Sequence, residues 1–494
     1  MYTAGFRFFN GIEGQVNTQA PSLLFHDYET FGTSPQKDLP CQFAAIRTDL
    51  DLNIIAKPIN IMCQIANDYL PHPQACLVTG ITPQQTLRDG MVEAEFARKI
   101  QQYMSTSNTC VVGYNSIRFD DEVSRYLFYR NFYDPYAREW QNGNSRWDII
   151  DLTRACYALR PEGINWPTRE DGFPTFKLEE LSAANNLDHG QAHDALSDVY
   201  ATIALAKLIK AKQPKLFNWY YSLRQKHNVL KQFNFTDSKV LVHVSSRIPA
   251  RQGGCTWILP IAMHPHQPNS IIAIDLNKSL SPLENNDAER VRNMLYTPTA
   301  ELGDGLRPGI KLIHINRSPF IAPASALTDK RALHLGIDKE LCAKNYKLLT
   351  SDNALREKII DVYRDESGRP DEHVDADHAL YSGGFLTNEE RNWCQRVRET
   401  NPDQLVLLQD DMQNPKLKTL LFRYRARNYP HTLSDSELHQ WQAHRRDRLT
   451  DPLSGGSITL ESYLFEIEQL ATQHRDNPER TAILRALYQY AENL

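Results

Sequence analysis

The chain has 494 residues, too many for one hydrophobic core and enough for two to four domains. Its 41% hydrophobic content is ordinary for a globular protein, and no run approaches ~18 consecutive apolar residues, so no membrane-spanning helix is expected. The net charge of −5 does not by itself mark a nucleic-acid binder, but charge is local, and an acidic site can sit beside basic grooves.

The opening "MYTAGFRFFNGIEGQVNTQAPS" has no basic segment followed by a long apolar core. It reads as a loose extension over 1–21 rather than a signal peptide. "LLFHDYETFG" then predicts a first strand, and "QFAAIRTDL" and "NIIAKPINIMCQI" two more, an antiparallel start. "EAEFARKIQQYM" has helical spacing, and "TCVVGYNS" is a short buried strand running into a turn. "FDDEVSRYLFYRNF" returns to the helical period, and "RWDIIDLTRACYALR" begins as strand and ends as helix. "FKLEELSAANNL" and "HDALSDVYATIALAKLIK" predict helices. Strands interleaved with helices give an α/β domain over 22–213. Pro214 ends the helical pattern. The alternating runs "KVLVHVSSRIP", "TWILPIAMHP", "SIIAIDLN" and "IKLIHINRSPFIAP" predict a small β-rich domain over 214–364. The charged stretch around 365–378 reads as a linker, and 379–494 as helices. Eight scattered cysteines without a C-x-x-C pair argue against a zinc site or disulfide framework and for a reducing cytoplasm.

The chemistry starts in the first strand. Residues i and i+2 share a face, so Asp27 and Glu29 project side by side. Two such carboxylates repel, which raises a pKa unless a cation sits between them. Alone, D-x-E more often marks a strand end reaching solvent. Here "GYNSIRFDD" adds Asp120 at a strand-to-helix junction, and "AHDALSDVY" adds His193 and Asp198 at a helix start. Asp194 can cap that helix, which leaves His193 on the loop and Asp198 in the first turns. Four carboxylates from three segments suit two hard cations, Mg²⁺ or Mn²⁺, rather than zinc. Two such ions about 3.5 to 4 Å apart can clamp a phosphodiester. The histidine is the natural general base for the attacking water.

D-x-E in a first strand, N-x-x-x-F-D and H-x-x-x-x-D together resemble the DEDDh superfamily of 3′→5′ exonucleases, which implies a ribonuclease-H-like fold. The resemblance implies that Asp27 bridges both metals and that Glu29 and Asp198 are the other close ligands. It implies that Asp120 holds the second metal, partly through water, and that His193 is the base. The stretches "GYNSIRFDDEVSR", "YRNFYDPY", "NSRWDIIDLTRACYALRPEGINWP", "AHDALSDVYATIA" and "LLFRYRARNYP" resemble bacterial exodeoxyribonuclease I from about residue 22 onward. That implies a nuclease domain with a mixed sheet, an SH3-like domain and a helical domain, which surround single-stranded DNA and make its digestion to 5′-mononucleotides processive. A role in DNA repair and recombination follows from the same resemblance. So does binding of the acidic, apolar-ended C-terminal tail of the single-stranded-DNA-binding protein, at Arg160 and Lys239, with Lys330 and Arg331 as less firmly matched positions. A monomer is expected.

Other residues have two readings each. Tyr28 either packs in the core or stacks on the terminal base. Asn115 either makes a turn or positions the DNA end. Arg118 is read as a phosphate contact rather than a solvated arginine. "NWYYSLRQKH" and "FRYRARNY" read chiefly as helices with a charged solvent face, some of whose residues touch DNA backbone, and "HRRDRL" as a solvated helix face. The rivals are an exoribonuclease, which the metal site cannot exclude, a polymerase proofreading subunit, and a non-catalytic single-strand-binding scaffold. A pure binder gains nothing from carboxylates clustered against phosphate.

Overall fold

In this computed structural model, residues 20–187, 194–302, 307–364 and 374–494 are described. The first strand, β1 (Ser22–Thr30), is central, and Leu23, Leu24 and Phe25 are buried on both of its faces. It pairs antiparallel with β2 (Pro40–Thr48), which pairs antiparallel with β3 (Ile59–Met62). On its other side β1 runs parallel to β4 (Thr109–Gly113), and β4 to β5 (Ser145–Asp148). The sheet order is β3-β2-β1-β4-β5, a mixed sheet. Its helices are α1 (Pro73–Thr79), α2 (Pro83–Asp89), α3 (Glu93–Met104), α4 (Asp120–Arg130), α5 (Ile149–Leu159), α6 (Leu178–Ala184), α7 (Ala195–Lys212) and α8 (Pro214–Ser222).

The two-residue period of β1 sorts its side chains. Leu24 and Tyr28 pack with α3 and α4 on one side, while Leu23 and Phe25 join the core that includes Val199 and Ile203 of α7. Asp27 and Glu29 fall on the α7 side. Pairing of β1 with β4 ends at Phe25↔Val112, so the second half of β1 has no strand beside it there. That gap takes the loop from β4 to α4. Ligand crevices form outside the carboxyl ends of strands for this reason. The loop folds back tightly over Gly113, where an added Cβ would stand 2.5 Å from Cβ of Ser116.

Pro214 opens α8 at its first turn, where a missing N–H costs nothing. Phe217, Tyr220 and Tyr221 of α8 surround the fully buried Trp147 of β5. Tyr220 also donates its hydroxyl to Ser318 O at 2.9 Å, so α8 ties the nuclease sheet to the second sheet. That sheet is β6 (Leu241–Val244), β7 (Cys255–Met263), β8 (Ser270–Asp275), β9 (Ile310–His314) and β10 (Phe320–Pro323), all antiparallel in the order β10-β6-β7-β8-β9. Helices dominate from Asn388 onward. The last two, Leu460–Gln473 and Pro478–Glu492, pack Tyr463, Leu484 and Leu487 against Phe31, Tyr69 and Leu77 of the nuclease domain.

Two readings of the sequence need correction. Of the expected linker over 365–378, residues 365–373 lie outside the described residues, and 374–378 is not solvated: Asp377 is 2% exposed and Asp375 is partly buried. Both acids pair with "FRYRARNY", whose arginines therefore face acids rather than solvent or DNA. Arg423 reaches Asp375 at 2.8 Å and Asp377 at 2.9 Å, and Arg427 reaches Asp68 and Asp377 at 2.7 Å each. Arg448 of "HRRDRL" is buried in the same cluster, 3.5 Å from Asp68 and from Asp375. Burial pushes Asp68 up, yet the cations, Arg427 foremost, hold it well below the usual carboxylate range.

Candidate active site

The carboxylates of Asp27, Glu29 and Asp198 meet, with one oxygen from each within 4.8 Å of the others. Among the described residues this is the one cluster of acids, histidines or cysteines close enough to hold a metal. Local rules put each acid there. Asp27 and Glu29 share the α7 face of β1. Asp194 caps α7 by accepting the Ser197 N–H at 3.1 Å, which sets Asp198 in the first turn over that face. His193 lies outside the described residues.

Asp120 arrives from the strand end and stands beside the three-acid cluster. Its Oδ1 accepts the backbone N–H of Tyr28 at 3.1 Å, a donor left without a strand partner where β4 stops. Burial pushes Asp27 well above the carboxylate range, with the charges of Asp120, Glu29 and Asp198 adding to it. Burial likewise raises Glu29 to about 8, with Asp198 and Asp120 next. Asp120 is also raised to about 8 by burial, against the pull of the Tyr28 N–H. No arginine or lysine salt bridge to Asp27, Glu29 or Asp120 occurs among the described residues, so a bound cation has work to do here.

The donor set is all oxygen, which fits Mg²⁺ or Mn²⁺. Ligation requires the carboxylates to lose their protons, so metal affinity should rise with pH through about 8 for Glu29 and Asp120. The half-saturating Mg²⁺ concentration should fall between pH 7 and pH 9, by up to about tenfold per unit for each proton displaced. Stability has the opposite sign in metal-free protein. Folded-state pKa values above the unfolded ones give stability that is complete below the unfolded values and lost as pH rises through the folded ones. Thermal melts in EDTA should therefore fall toward pH 8, and added Mg²⁺ should raise the midpoint more at pH 8.5 than at pH 6.

Tyr28 is not a stacking platform. It is 4% exposed, its hydroxyl bonds Ser124 Oγ at 3.0 Å, and its ring packs on Phe43. Its contribution to the site is its backbone N–H. Asn115 adopts a left-handed turn conformation (φ 63°) and is exposed. It lines, with Arg118, a cleft of about 430 Å³ between the nuclease domain and the second sheet. Arg154 of α5 and Arg247, His314 and Arg317 of the β-rich domain line the same cleft. Arg118, Arg247 and Arg317 form no salt bridge to a carboxylate among the described residues, although Glu122, Asp148 and Asp151 share the cleft lining, and Asn115 and Arg154 also line the neighbouring cleft that Asp198 borders. Sequence reasoning missed Arg154, Arg247, His314 and Arg317 because they reach the cleft from different elements, and no spacing links them to the acidic motifs.

Arg160 borders a separate, mostly apolar hollow of about 460 Å³ with Leu216, Trp219, Pro323 and Ala326. Its guanidinium bonds Ala326 O at 2.9 Å. Lys239 and Lys330 are exposed and do not line this hollow. Arg331 is engaged elsewhere: it donates to Ala158 O at 3.0 Å and Tyr157 O at 2.6 Å, satisfying carbonyls at the end of α5.

Comparison with known proteins agrees with this geometry. Residues 24–206 match the family described as Exonuclease, 224–365 the Exonuclease I SH3-like domain, and 374–494 the Exonuclease I C-terminal domain. The exodeoxyribonuclease I of Escherichia coli (strain K12) is 46% identical over 477 residues, which cover 96% of this chain and 98% of that one. The crystal structure of E. coli exonuclease I in complex with a dA16 oligonucleotide superposes with a TM-score of 0.91 at 46% identity, covering 96% of this chain and 99% of that one. A crystal structure of SSB/exonuclease I in complex with the inhibitor CFAM superposes at 0.88 and 43% identity, covering 96% and 100% of the two chains. With its acids gathered at the end of the first strand and all three domains matched over nearly the whole length, this chain belongs to the exodeoxyribonuclease I family.

Proposed function

We propose that the chain is a divalent-metal-dependent 3′→5′ exonuclease that digests single-stranded DNA to 5′-mononucleotides, in DNA repair and recombination. The observation that carries this reading is the half-buried cluster of Asp27, Glu29 and Asp198, with the buried Asp120 beside it, where Asp198 lines a cleft together with Asn115 and Arg154. Asp27, Glu29, Asp120 and Asp198 would hold two Mg²⁺ ions, with Mn²⁺ as a substitute. Bound there, the ions supply Lewis acidity to the phosphodiester and charge neutralisation to the leaving oxygen. His193 takes the proton from the attacking water. Arg118, Arg154, Arg247 and Arg317 bind the phosphates of the strand behind its 3′ end. The Tyr28 N–H and the α4 N-terminus keep Asp120 oriented.

The hollow beside Arg160 and Trp219 is the proposed seat for the acidic, apolar-ended tail of SSB: an arginine at its rim for carboxylate and an apolar floor for the terminal residues. The described cysteines are free and buried, which suits a reducing compartment, the cytoplasm. No helix among the described residues is long and apolar enough to cross a membrane. All the proposed metal ligands come from one chain, so a monomer holds a complete metal site.

The test follows a 5′-labelled single-stranded DNA and its RNA counterpart with Mg²⁺, beside His193→Ala. Stepwise shortening of the DNA is expected, with the variant slower by about 10² to 10⁴-fold. Faster digestion of RNA would overturn the choice of sugar. Tight binding without shortening of either strand would favour a scaffold.

A further inference from the structure

Asp148 is a buried carboxylate, 4% exposed, that belongs to none of the acidic motifs. It ends β5, opposite Gly113 of β4. Its Oδ1 accepts the N–H of Ile150 at 3.0 Å, capping α5, and also the N–H of Asn115 at 2.9 Å. Its Oδ2 accepts the N–H of Ile117 at 3.2 Å. One side chain thus pins two amides of the loop that joins β4 to α4. That loop carries Arg118 on the cleft and runs through Phe119 straight into Asp120. At its far end Asp120 is tied to the Tyr28 N–H. The loop is therefore held at both ends, once on β1 and once on Asp148.

We propose that Asp148 is a positioning residue for the nuclease reaction, holding the Asn115–Phe119 loop so that the Arg118 cation and the Asp120 carboxylate keep a fixed spacing. This rests on the function proposed above. An ionised carboxylate accepts all three amides, whereas an amide side chain has one acceptor oxygen and turns N–H against N–H at the other. Burial, then the charge of Asp151, push the Asp148 carboxyl up to about 7, and the three backbone donors work against that. Such a costly charge is retained where backbone amides need it. Misplacing reacting groups by about 1 Å can cost on the order of a hundredfold in rate.

The experiment compares Asp148→Asn and Asp148→Ala with the wild-type chain at pH 8, well below their melting temperatures. The readouts are kcat, KM for single-stranded DNA, and half-saturating Mg²⁺. The expected result is a fall in kcat/KM of about ten- to a hundredfold for the asparagine variant and more for alanine, with both KM and half-saturating Mg²⁺ raised. Folded variants with KM and half-saturating Mg²⁺ unchanged would overturn the proposal, even if less of the protein were active, because lost stability alone moves neither. Hydrogen exchange on the wild-type chain reads the same loop directly. Protected amides at Asn115 and Ile117 support the proposal, and exchange at the rate of an open loop overturns it, whether or not the variants fold. A wild-type chain inactive on DNA would instead defeat the proposed function and leave the exchange result standing.

Discussion

Asp27→Ala is expected to lower DNA cleavage by at least about a thousandfold while single-stranded DNA binding in EDTA is retained. Asp27 sits where burial and four neighbouring acids, Asp120, Glu29, Asp198 and Asp194, disfavour its charge. Nothing in the fold needs that charge. Removing it takes away a carboxylate whose charge the site disfavours, so the variant should melt no lower than wild type in EDTA at pH 8, and it should lose most of the stabilisation that Mg²⁺ gives. A residue whose loss abolishes turnover while leaving metal-free stability intact or raised is one kept for chemistry. Side-by-side melts with and without Mg²⁺, together with single-turnover cleavage, check both halves. A variant that cleaves at the wild-type rate would remove Asp27 from the reaction.

Arg427→Ala is expected to have the largest effect on stability. Arg427 spans two buried acids, reaching Asp68 of the nuclease domain and Asp377 of the segment leading to the C-terminal helices. Its removal strands both carboxylates in a site where Arg423 and Arg448 only partly compensate. Breaking a buried ion pair in this way costs about 3 to 5 kcal/mol. Lysine should rescue poorly, because it lacks the planar fork that serves two carboxylates at once. Three packed domains need not unfold as one unit, so urea unfolding is best followed together with limited proteolysis. Early cleavage near the C-terminal helices is the expected pattern. An unchanged unfolding midpoint would mean that the cluster contributes nothing to holding the domains together.

What the sequence made legible follows the reach of local rules. The period of two in β1 placed Asp27 and Glu29 on one face, and the helix-start pattern placed Asp194 as the cap and Asp198 in the first turn of α7. The same period put Tyr28 on the opposite face but could not show that Ser124, 96 residues away, waits there to bond its hydroxyl. Arg423 and Arg427 read as a charged helix surface because their partners are remote in sequence. Asp68 lies 359 residues from Arg427, and no helical spacing announces it. Arg425 is fully buried against nearer partners, Glu437 and the Thr432 carbonyl, which come within reach only because the chain turns back after the helix. Arg118 was legible beside the Asp120 motif, but Arg154, Arg247 and Arg317 of the same cleft were not, since they come from different elements and share no motif. Asp148 stood in the quoted stretch "RWDIIDL", yet a carboxylate between a strand and a helix reads as an ordinary cap until the amides of Asn115 and Ile117 are seen to converge on it.

Four carboxylates from three segments are proposed to hold divalent metal for the hydrolysis of a DNA end. Anomalous scattering from crystals of the full chain soaked in Mn²⁺ tests it most directly. Two peaks are expected among Asp27, Glu29, Asp120 and Asp198, with Asp27 against both. Crystals that take up Mn²⁺ only elsewhere, with no peak at Asp27, would contradict it.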